Sequence, residues 1–83
     1  MAYKLIYSKS AAKDIKKLDV VAKKQLGKTI LRYSKNPLHY AKKLTNKDIG
    51  QYRWRAGNYR IIFDISDKTI QILKVGHRRE VYK

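Results

Sequence analysis

The sequence predicts one small α+β domain, in which a two-helix hairpin packs on one face of an antiparallel sheet of about four strands. Apolar residues recur at helical spacing between positions 11 and 33, and side-chain character alternates strictly along much of 51–75. Helical spacing and alternation identify the two kinds of element. The 83 residues allow one modest core. We therefore expect the order β-α-α-β-β-β within a single domain that spans residues 1–83.

Each element has its own local signal. Residues 2–7 are apolar enough for a first strand, and two serines that follow can cap a helix. The helical pattern is interrupted near position 19, which predicts two helices near 9–18 and 20–35. Pro37 disfavours helix at the residue before it and ends the second one. Residues 37–50 are expected to form a loop with a possible short turn. Strands are expected near 51–56, 59–65 and 69–75.

The strongest pattern is the hairpin around Gly57-Asn58. Both residues tolerate the positive φ of a tight two-residue turn, which would place Arg55 opposite Arg60. Directly paired residues point to the same side of a sheet. The side that carries arginines, called the arginine face below, is formed by Arg53, Arg55 and Arg60. The opposite side, which we expect to be core, carries Tyr52, Trp54, Ile61 and Phe63.

The arginine face creates an electrostatic conflict. Opposed like charges destabilise a hairpin, and a phosphate group would match the guanidinium fork and remove the conflict. The alternative is that these arginines are simply solvated. With 21 Lys+Arg against 6 Asp+Glu and a formal charge of +15, the chain suits nucleic acid, an acidic membrane surface or an acidic protein.

Several functional classes are not supported by the sequence. Cysteine is absent, so neither a disulfide framework nor a thiolate metal site is expected. The acidic residues are scattered and no Gly-rich loop suggests a nucleotide, so no metal and no cofactor are predicted. The apolar runs are short and the N-terminus lacks a signal-peptide pattern. We expect a cytoplasmic protein that does not enter a membrane.

The C-terminal residues form a second candidate cluster. A regular third strand would pair Ile62 with Leu73 and Arg60 with Val75, bringing the chain end to the arginine face or its rim. Arginines can stabilise a pentavalent phosphorane, and His or Tyr can transfer protons, so the combination suits RNA cleavage. His77 could equally be an ordinary polar residue, and Tyr82 part of a disordered tail. The candidate catalytic residues are Arg53, Arg55, Arg60, His77, Arg78 and Tyr82.

Further cations lie on the predicted helices and near the chain end. Together they would create a positive field that attracts a polyanion in a salt-dependent way. Taken singly, each is more simply explained as part of a solvated surface. The candidates for binding RNA or the ribosome are Lys13, Lys16, Lys17, Lys23, Lys24, Lys28 and Arg79.

The motifs Gly57-Asn58-Tyr59-Arg60 and 75–82 (VGHRREVY), with the lysine-rich helix pair, resemble the RelE/ParE superfamily of toxin–antitoxin toxins, and more specifically RelE-like mRNA interferases. The resemblance implies a toxin that enters the ribosomal A site and cuts mRNA there through attack by the 2′-hydroxyl. It also implies an acidic antitoxin segment that wraps the toxin, and a free toxin that is monomeric.

The resemblance further implies roles for individual residues. Arg60 and Arg78 would stabilise the phosphorane, and Tyr82 would stack on or orient the substrate nucleotide. Lysines are common in relatives where this chain has Arg53 and Arg55. Arginine is a poor general base because it stays charged, which favours His77 or Tyr82 for proton transfer.

Two other functions are compatible with the same fold. A ParE-like toxin would poison DNA gyrase by a protein–protein contact and would not need a phosphate-binding centre. A nucleic-acid-binding module without catalysis would bind RNA in a salt-sensitive way and cut nothing.

Overall fold

The computed structural model describes residues 3–45 and 48–81 and confirms an α+β fold with two helices. This part of the chain contains five strands, one more than predicted. The elements are β1 (Lys4–Tyr7), α1 (Lys9–Lys16), α2 (Val20–Ser34), β2 (Lys42–Lys43), β3 (Tyr52–Ala56), β4 (Tyr59–Ser66) and β5 (Thr69–His77). Neither helix of the described residues is long and apolar enough to cross a membrane.

The five strands form one sheet in the order β1-β5-β4-β3-β2. Strand β1 runs parallel to β5, and the other neighbours are antiparallel. The prediction of a wholly antiparallel sheet was therefore wrong for β1. No hairpin joins β1 to its neighbour, so no turn signal in the sequence specifies its direction. Strand β2 lies in the predicted loop and is too short to show alternation.

The two helices begin at side-chain caps. The Ser8 hydroxyl accepts a hydrogen bond from the Ala11 amide at 3.0 Å, and the Asp19 carboxylate accepts one from the Ala22 amide at 2.7 Å. Each cap satisfies an amide that the first helical turn leaves without a partner. The cap at Asp19 explains why the helical pattern divides into two helices.

The core lies between the helices and one face of the sheet. Trp54 and Phe63 are fully buried there with ring centroids 4.1 Å apart, and the Trp54 indole donates to the Pro37 carbonyl at 3.0 Å. This hydrogen bond satisfies the only polar atom of a large buried ring. The buried residues of the core cluster are Ala11, Leu26, Ile30, Trp54, Ile61, Phe63, Ile70, Ile72 and Val75.

The β3–β4 hairpin has the predicted register. Arg55 pairs with Arg60 and Trp54 with Ile61, on either side of the Gly57-Asn58 turn. Gly57 has φ 60°, whereas Asn58 does not have a positive φ. Glycine at the first central position, with positive φ at that position alone, is typical of a type II′ turn. The turn matches the strand twist and fixes the arginine pairing.

The β4–β5 ladder differs from the prediction beyond Phe63. Phe63 pairs with Ile72 as expected, but Ile62 pairs with Lys74, so Leu73 is an extra residue in β5. This β-bulge shifts the following pairs by one, and Arg60 faces Gly76 instead of Val75. The predicted pairing of Ile62 with Leu73 was wrong because it assumed an unbroken ladder.

Helix α1 accounts for the bulge. The Ser8 hydroxyl donates to the Leu73 carbonyl at 2.9 Å, and the Asp14 carboxylate accepts from the Val75 amide at 3.1 Å. Backbone groups at and just after the bulge thus find partners on α1, as buried backbone groups require. Strand β1 pairs with β5 only as far as Ile72, so α1 covers the edge beyond it.

Candidate phosphate-binding face

The arginine face lies on the side of the sheet opposite the helices. Arg55 and Arg60 are direct cross-strand partners, and Arg53 shares their side two residues further along β3. Arg55 is exposed and Arg53 is half-buried. The sheet therefore holds three guanidinium-bearing side chains on one side, as the alternation predicted.

Arg60 is the most constrained of the three. Only 5% of its surface is exposed, and its Nη1 atom donates to the Gly57 carbonyl at 2.9 Å and to the Tyr59 carbonyl at 3.0 Å. A buried cation requires such partners, since desolvation of an unpaired charge is costly. These bonds fix the guanidinium beside the hairpin turn. Its burial means that dissolved salt screens the charge only weakly.

The C-terminal turn docks on the same hairpin turn. The Arg78 amide donates to the Asn58 carbonyl at 2.8 Å, while the amides of Glu80 and Val81 donate to the His77 carbonyl at 2.8 and 3.0 Å. Val81 is fully buried over Gly76, where an added Cβ would meet the Val81 Cβ at 3.5 Å. Gly76 is the partner of Arg60, so this turn closes over the end of the arginine face.

His77 does not share that face. The bulge pairs His77 with Tyr59, whose side chain packs against the core on the helix side, and the two rings meet edge to face at 6.2 Å. Its Nδ1 atom accepts from the Arg79 amide at 3.3 Å. An unbroken ladder predicted His77 at the arginine face or its rim. The structure places it on the helix side, because a one-residue shift moves a strand residue to the other side of the sheet.

The same shift brings in a cation that the sequence did not reveal. Lys74 pairs with Ile62, which places it on the side of Arg53 and Arg55. At the sheet edge, Lys42 of β2 pairs with Arg53 and joins that side as well. Lys42 was missed because a two-residue strand carries no alternation. Lys74 was missed because its side depends on the bulge.

The other predicted residues occupy separate places. The helix lysines are exposed on α1, α2 and the turn between them, in the layer behind the sheet, and are not brought together with the arginine face. Arg78 and Arg79 are exposed in the C-terminal turn. Tyr82 lies outside the described residues. The helix lysines in question are Lys13, Lys16, Lys17, Lys23, Lys24 and Lys28.

Two further observations concern ionisable groups. Within residues 3–45 and 48–81, no three His, Cys, Asp or Glu side chains cluster in a way that could hold a metal ion. Burial raises the pKa of the Tyr7 hydroxyl. Tyr7 ends β1 beside an apolar cavity lined by residues of both helices, such as Ile15 and Leu26, away from the arginine face.

The comparisons with known proteins agree with this fold. Residues 5–82 match the family described as the ParE toxin of the type II toxin–antitoxin system parDE. The chain belongs to this family, within the RelE/ParE superfamily of toxins of type II toxin–antitoxin systems. It is RelE-like within that superfamily, as its relatives and structural neighbours indicate.

The chain is similar to Toxin RelG of Mycobacterium tuberculosis, with 36% identity over 52 residues. That match covers 60% of this chain and 60% of the relative's length. The fold is similar to the toxin–antitoxin complex RelBE2 of M. tuberculosis, with TM-score 0.83 and 28% identity over 94% of this chain and 100% of that one. The isolated E. coli RelE toxin gives TM-score 0.73 and 29% identity over 98% and 92% of the two chains.

Proposed function

We propose that this protein is a ribosome-dependent endoribonuclease that cuts mRNA in the A site and so inhibits translation. The observation that carries the proposal is the opposed pair of exposed Arg55 and buried Arg60 on the side of the sheet away from the helices, with the Arg78 backbone docked on the same hairpin turn. Two directly opposed, always-charged guanidinium groups destabilise a hairpin, and a phosphate bound between them would remove that cost. The RelE-like relatives support a toxin of this kind.

In the proposed reaction the 2′-hydroxyl oxygen attacks the neighbouring phosphorus. The O2′–P bond forms, the P–O5′ bond breaks, and the products are a 2′,3′-cyclic phosphate and a 5′-hydroxyl. The 2′ proton passes to a base and the 5′ oxygen receives a proton. Arg60 and Arg78 stabilise the charge of the phosphorane, as preorganised donors do for oxyanions. Arg53 and Arg55 hold the flanking phosphates.

Proton transfer requires a different kind of side chain. Arginine stays charged and cannot accept a proton at ordinary pH. The proposal does not use His77 for this step, since its ring lies on the helix side of the sheet. We therefore assign proton transfer or base orientation to Tyr82, as the family resemblance implies. The exposed lysines of α1 and α2 and Arg79 hold the protein on the ribosome through ribosomal RNA phosphates.

The proposal includes a protein partner. The solved RelE relatives include complexes with the antitoxin RelB. By analogy we assign this chain a cognate antitoxin whose acidic segment neutralises part of the +15 charge. The free toxin is a monomer in this proposal and acts in the cytoplasm, where mRNA is translated. Failure of the chain to co-purify with the product of the neighbouring gene would count against this partner.

The test is to map cleavage ends on an mRNA incubated with the purified protein, with and without programmed ribosomes. Cuts within the A-site codon that require ribosomes are expected. Arg60→Ala and Arg78→Ala should each lower the cleavage rate by about 10²–10³, the scale for one oxyanion donor. Val21 on α2 is 64% exposed and uncharged, and it supplies the control Val21→Ala, which should cut at the wild-type rate.

Since Arg60 is buried, melting curves must accompany its variants, and Arg60→Lys provides a charged replacement. Exposed Arg78 carries the test if Arg60→Ala is unstable. Wild-type cleavage by a folded Arg78→Ala variant would remove that residue from the site. Absence of any ribosome-dependent cut by the wild-type protein would refute the nuclease proposal.

A second candidate function is favoured by the name of the matching family, which is a ParE toxin. In that case the chain would inhibit DNA gyrase through a protein contact, and the arginine face would meet a carboxylate-rich surface. A gyrase supercoiling assay separates the two functions. Inhibition of supercoiling with unaffected translation would support the ParE-like function and exclude the nuclease.

A further inference from the structure

Four side chains at the end of α2 and in the following loop form a surface array, called the aromatic stack below. The rings of Tyr33 and Tyr40 are stacked with centroids 4.4 Å apart and an interplanar angle of 19°. The Arg32 guanidinium carbon lies 5.2 Å from the centre of the Tyr33 ring. The His39 ring meets the Tyr40 ring edge to face at 4.9 Å. This arrangement is a series of planar groups, each in contact with the next.

The stack is anchored at one end and open at the other. The Tyr33 hydroxyl donates to the Arg55 carbonyl at 3.0 Å, and its ring lies 5.8 Å from that of buried Trp54. Tyr40, in contrast, is 43% exposed, and His39 is exposed beside it. The outer rings are therefore held in place by packing while they remain accessible to a ligand. Such preorganisation lowers the entropic cost of binding.

The chain segment that carries the stack contains cations and no acidic residue. The sequence contains no Asp or Glu between Asp19 and Asp48. Lys42 follows Tyr40 by two positions and is the cross-strand partner of Arg53. Adjacent strands lie about 5 Å apart, and two residues of extended chain span about 7 Å. The Tyr40 and Arg53 backbones are thus separated by at most about 12 Å, with Lys42 between them.

We propose that the aromatic stack is a subsite for the bases of single-stranded RNA, whose phosphates cross the β2 edge over Lys42 to reach the arginine face. This inference rests on the proposed nuclease function and extends it to a second, noncatalytic contact. Accessible aromatic rings beside basic side chains are a combination that binds single-stranded RNA. An acidic peptide could pair with the cations, but its carboxylates would make no stacking contact with the aromatic rings.

The geometry also gives the spacing. At about 3.4 Å per stacked nucleotide, a separation of at most about 12 Å corresponds to at most about four nucleotides between the phosphate at Arg53 and the base at Tyr40. An RNA shorter than this can occupy the arginine face without touching the stack. The contribution of Tyr40 should therefore appear only with longer RNA.

The experiment measures binding of the purified chain to unstructured A/C oligonucleotides of about three and about twelve nucleotides by fluorescence anisotropy. Tyr40→Ala should weaken binding of the long RNA about 5- to 150-fold, the range for losing one stacked base. Binding of the short RNA should not change. Tyr40→Phe keeps the ring and should bind as the wild type does. Tyr40→Leu keeps apolar contact with Tyr33 but lacks a ring face, and should resemble Tyr40→Ala.

Two controls make the result specific. Leu38 lies in the same loop, is 53% exposed and lacks a ring, so Leu38→Ala should leave binding unchanged. Lys42→Ala should reduce the magnitude of the negative slope of log K against log salt concentration, where K is the association constant, by about 0.7, the value for one single-strand phosphate. Tyr40→Ala should leave that slope as it is. The proposal is overturned if Tyr40→Ala binds the long RNA as tightly as Leu38→Ala does, or if its effect is equal for both lengths.

On ribosomes, the RNA at the stack could be mRNA or ribosomal RNA. With mRNAs truncated at different distances from the A-site codon, a Tyr40→Ala defect that appears only on long mRNA identifies the mRNA. A defect independent of mRNA length identifies ribosomal RNA. Failure of the nuclease function is recognised separately, since the wild type would then cut nothing. Ring-dependent binding of long free RNA would in that case still establish the subsite.

Discussion

Replacing Arg55 by threonine should make the free protein more stable while it impairs function. Arg55 and Arg60 are directly opposed, which places their Cβ atoms about 4.5–5.5 Å apart. Arg60 is 5% exposed, so its charge is weakly screened. Removing one of two opposed like charges should raise the free energy of unfolding by about 0.2–1 kcal/mol. For a domain of this size that corresponds to a rise in melting temperature of about 1–8 °C.

The assay is thermal unfolding followed by circular dichroism at low and at high salt. Arg55→Lys keeps the charge and serves as the matched control, while Arg55→Glu adds an attraction and should be more stable still. The differences should shrink at high salt, because the exposed member of the pair is screened. The order of cleavage rates should be the reverse, with arginine fastest, as expected for a site that sacrifices stability for function. The reasoning is refuted if Arg55→Thr melts no higher than Arg55→Lys at low salt, or if its gain does not depend on salt.

Substitutions at four other positions test other parts of the fold. Gly50→Ala should lower the free energy of unfolding by about 2–4 kcal/mol, because Gly50 has φ 150° and the added Cβ would lie 2.5 Å from a side-chain carbon of β4. Gly57→Ala provides the comparison, because Gly57 has φ 60° and an added Cβ would meet no atom within 4 Å. It should lower the free energy of unfolding by only about 1–2 kcal/mol. Equal losses for the two variants in denaturant titrations would contradict the predicted clash at position 50. Asp14→Ala should lower the free energy of unfolding by about 1–3 kcal/mol, because it leaves the Val75 amide without its acceptor. Asp14→Asn keeps an acceptor oxygen and should lower it clearly less. Unchanged hydrogen exchange at the Val75 amide in Asp14→Ala would refute the assignment. Burial raises the pKa of Tyr7, so unfolded chains lose this proton at a lower pH than folded ones. Its contribution to stability is therefore constant below about pH 10 and is lost as the pH rises through the raised pKa. The melting temperature of Tyr7→Phe should consequently fall less steeply at alkaline pH than that of the wild type.

The parts of the fold that local sequence determines were predictable. The β3–β4 register follows from a two-residue turn and from alternation on both sides of it, so the pairing of Arg55 with Arg60 could be placed without a structure. The division of the helices follows from Asp19, which caps the second one. The core positions Trp54 and Phe63 follow from their place opposite the arginines.

The remaining features depend on contacts between distant residues. The bulge at Leu73 receives a hydrogen bond from Ser8, 65 positions away in the chain, and no local pattern announces it. That contact decides on which side Lys74 and His77 lie. The parallel pairing of β1 is likewise made only when the first and last strands meet. Strand β2 is too short for any period to be recognised, and with it the place of Lys42 was hidden.

The single extra residue at Leu73 decides on which side of the sheet the end of β5 presents its side chains. Leu73 stands outside the ladder, so deleting it would join Ile72 directly to Lys74 and leave Ile62 paired with Lys74 and Tyr59 with His77. Keeping Leu73 while the bulge is lost would instead move every later residue by one position, which would turn Lys74 toward the core and His77 toward the arginines. Among natural variants, loss of this one residue should therefore preserve the arrangement of the arginine face, whereas a relative that retains the residue without the bulge should present a different face.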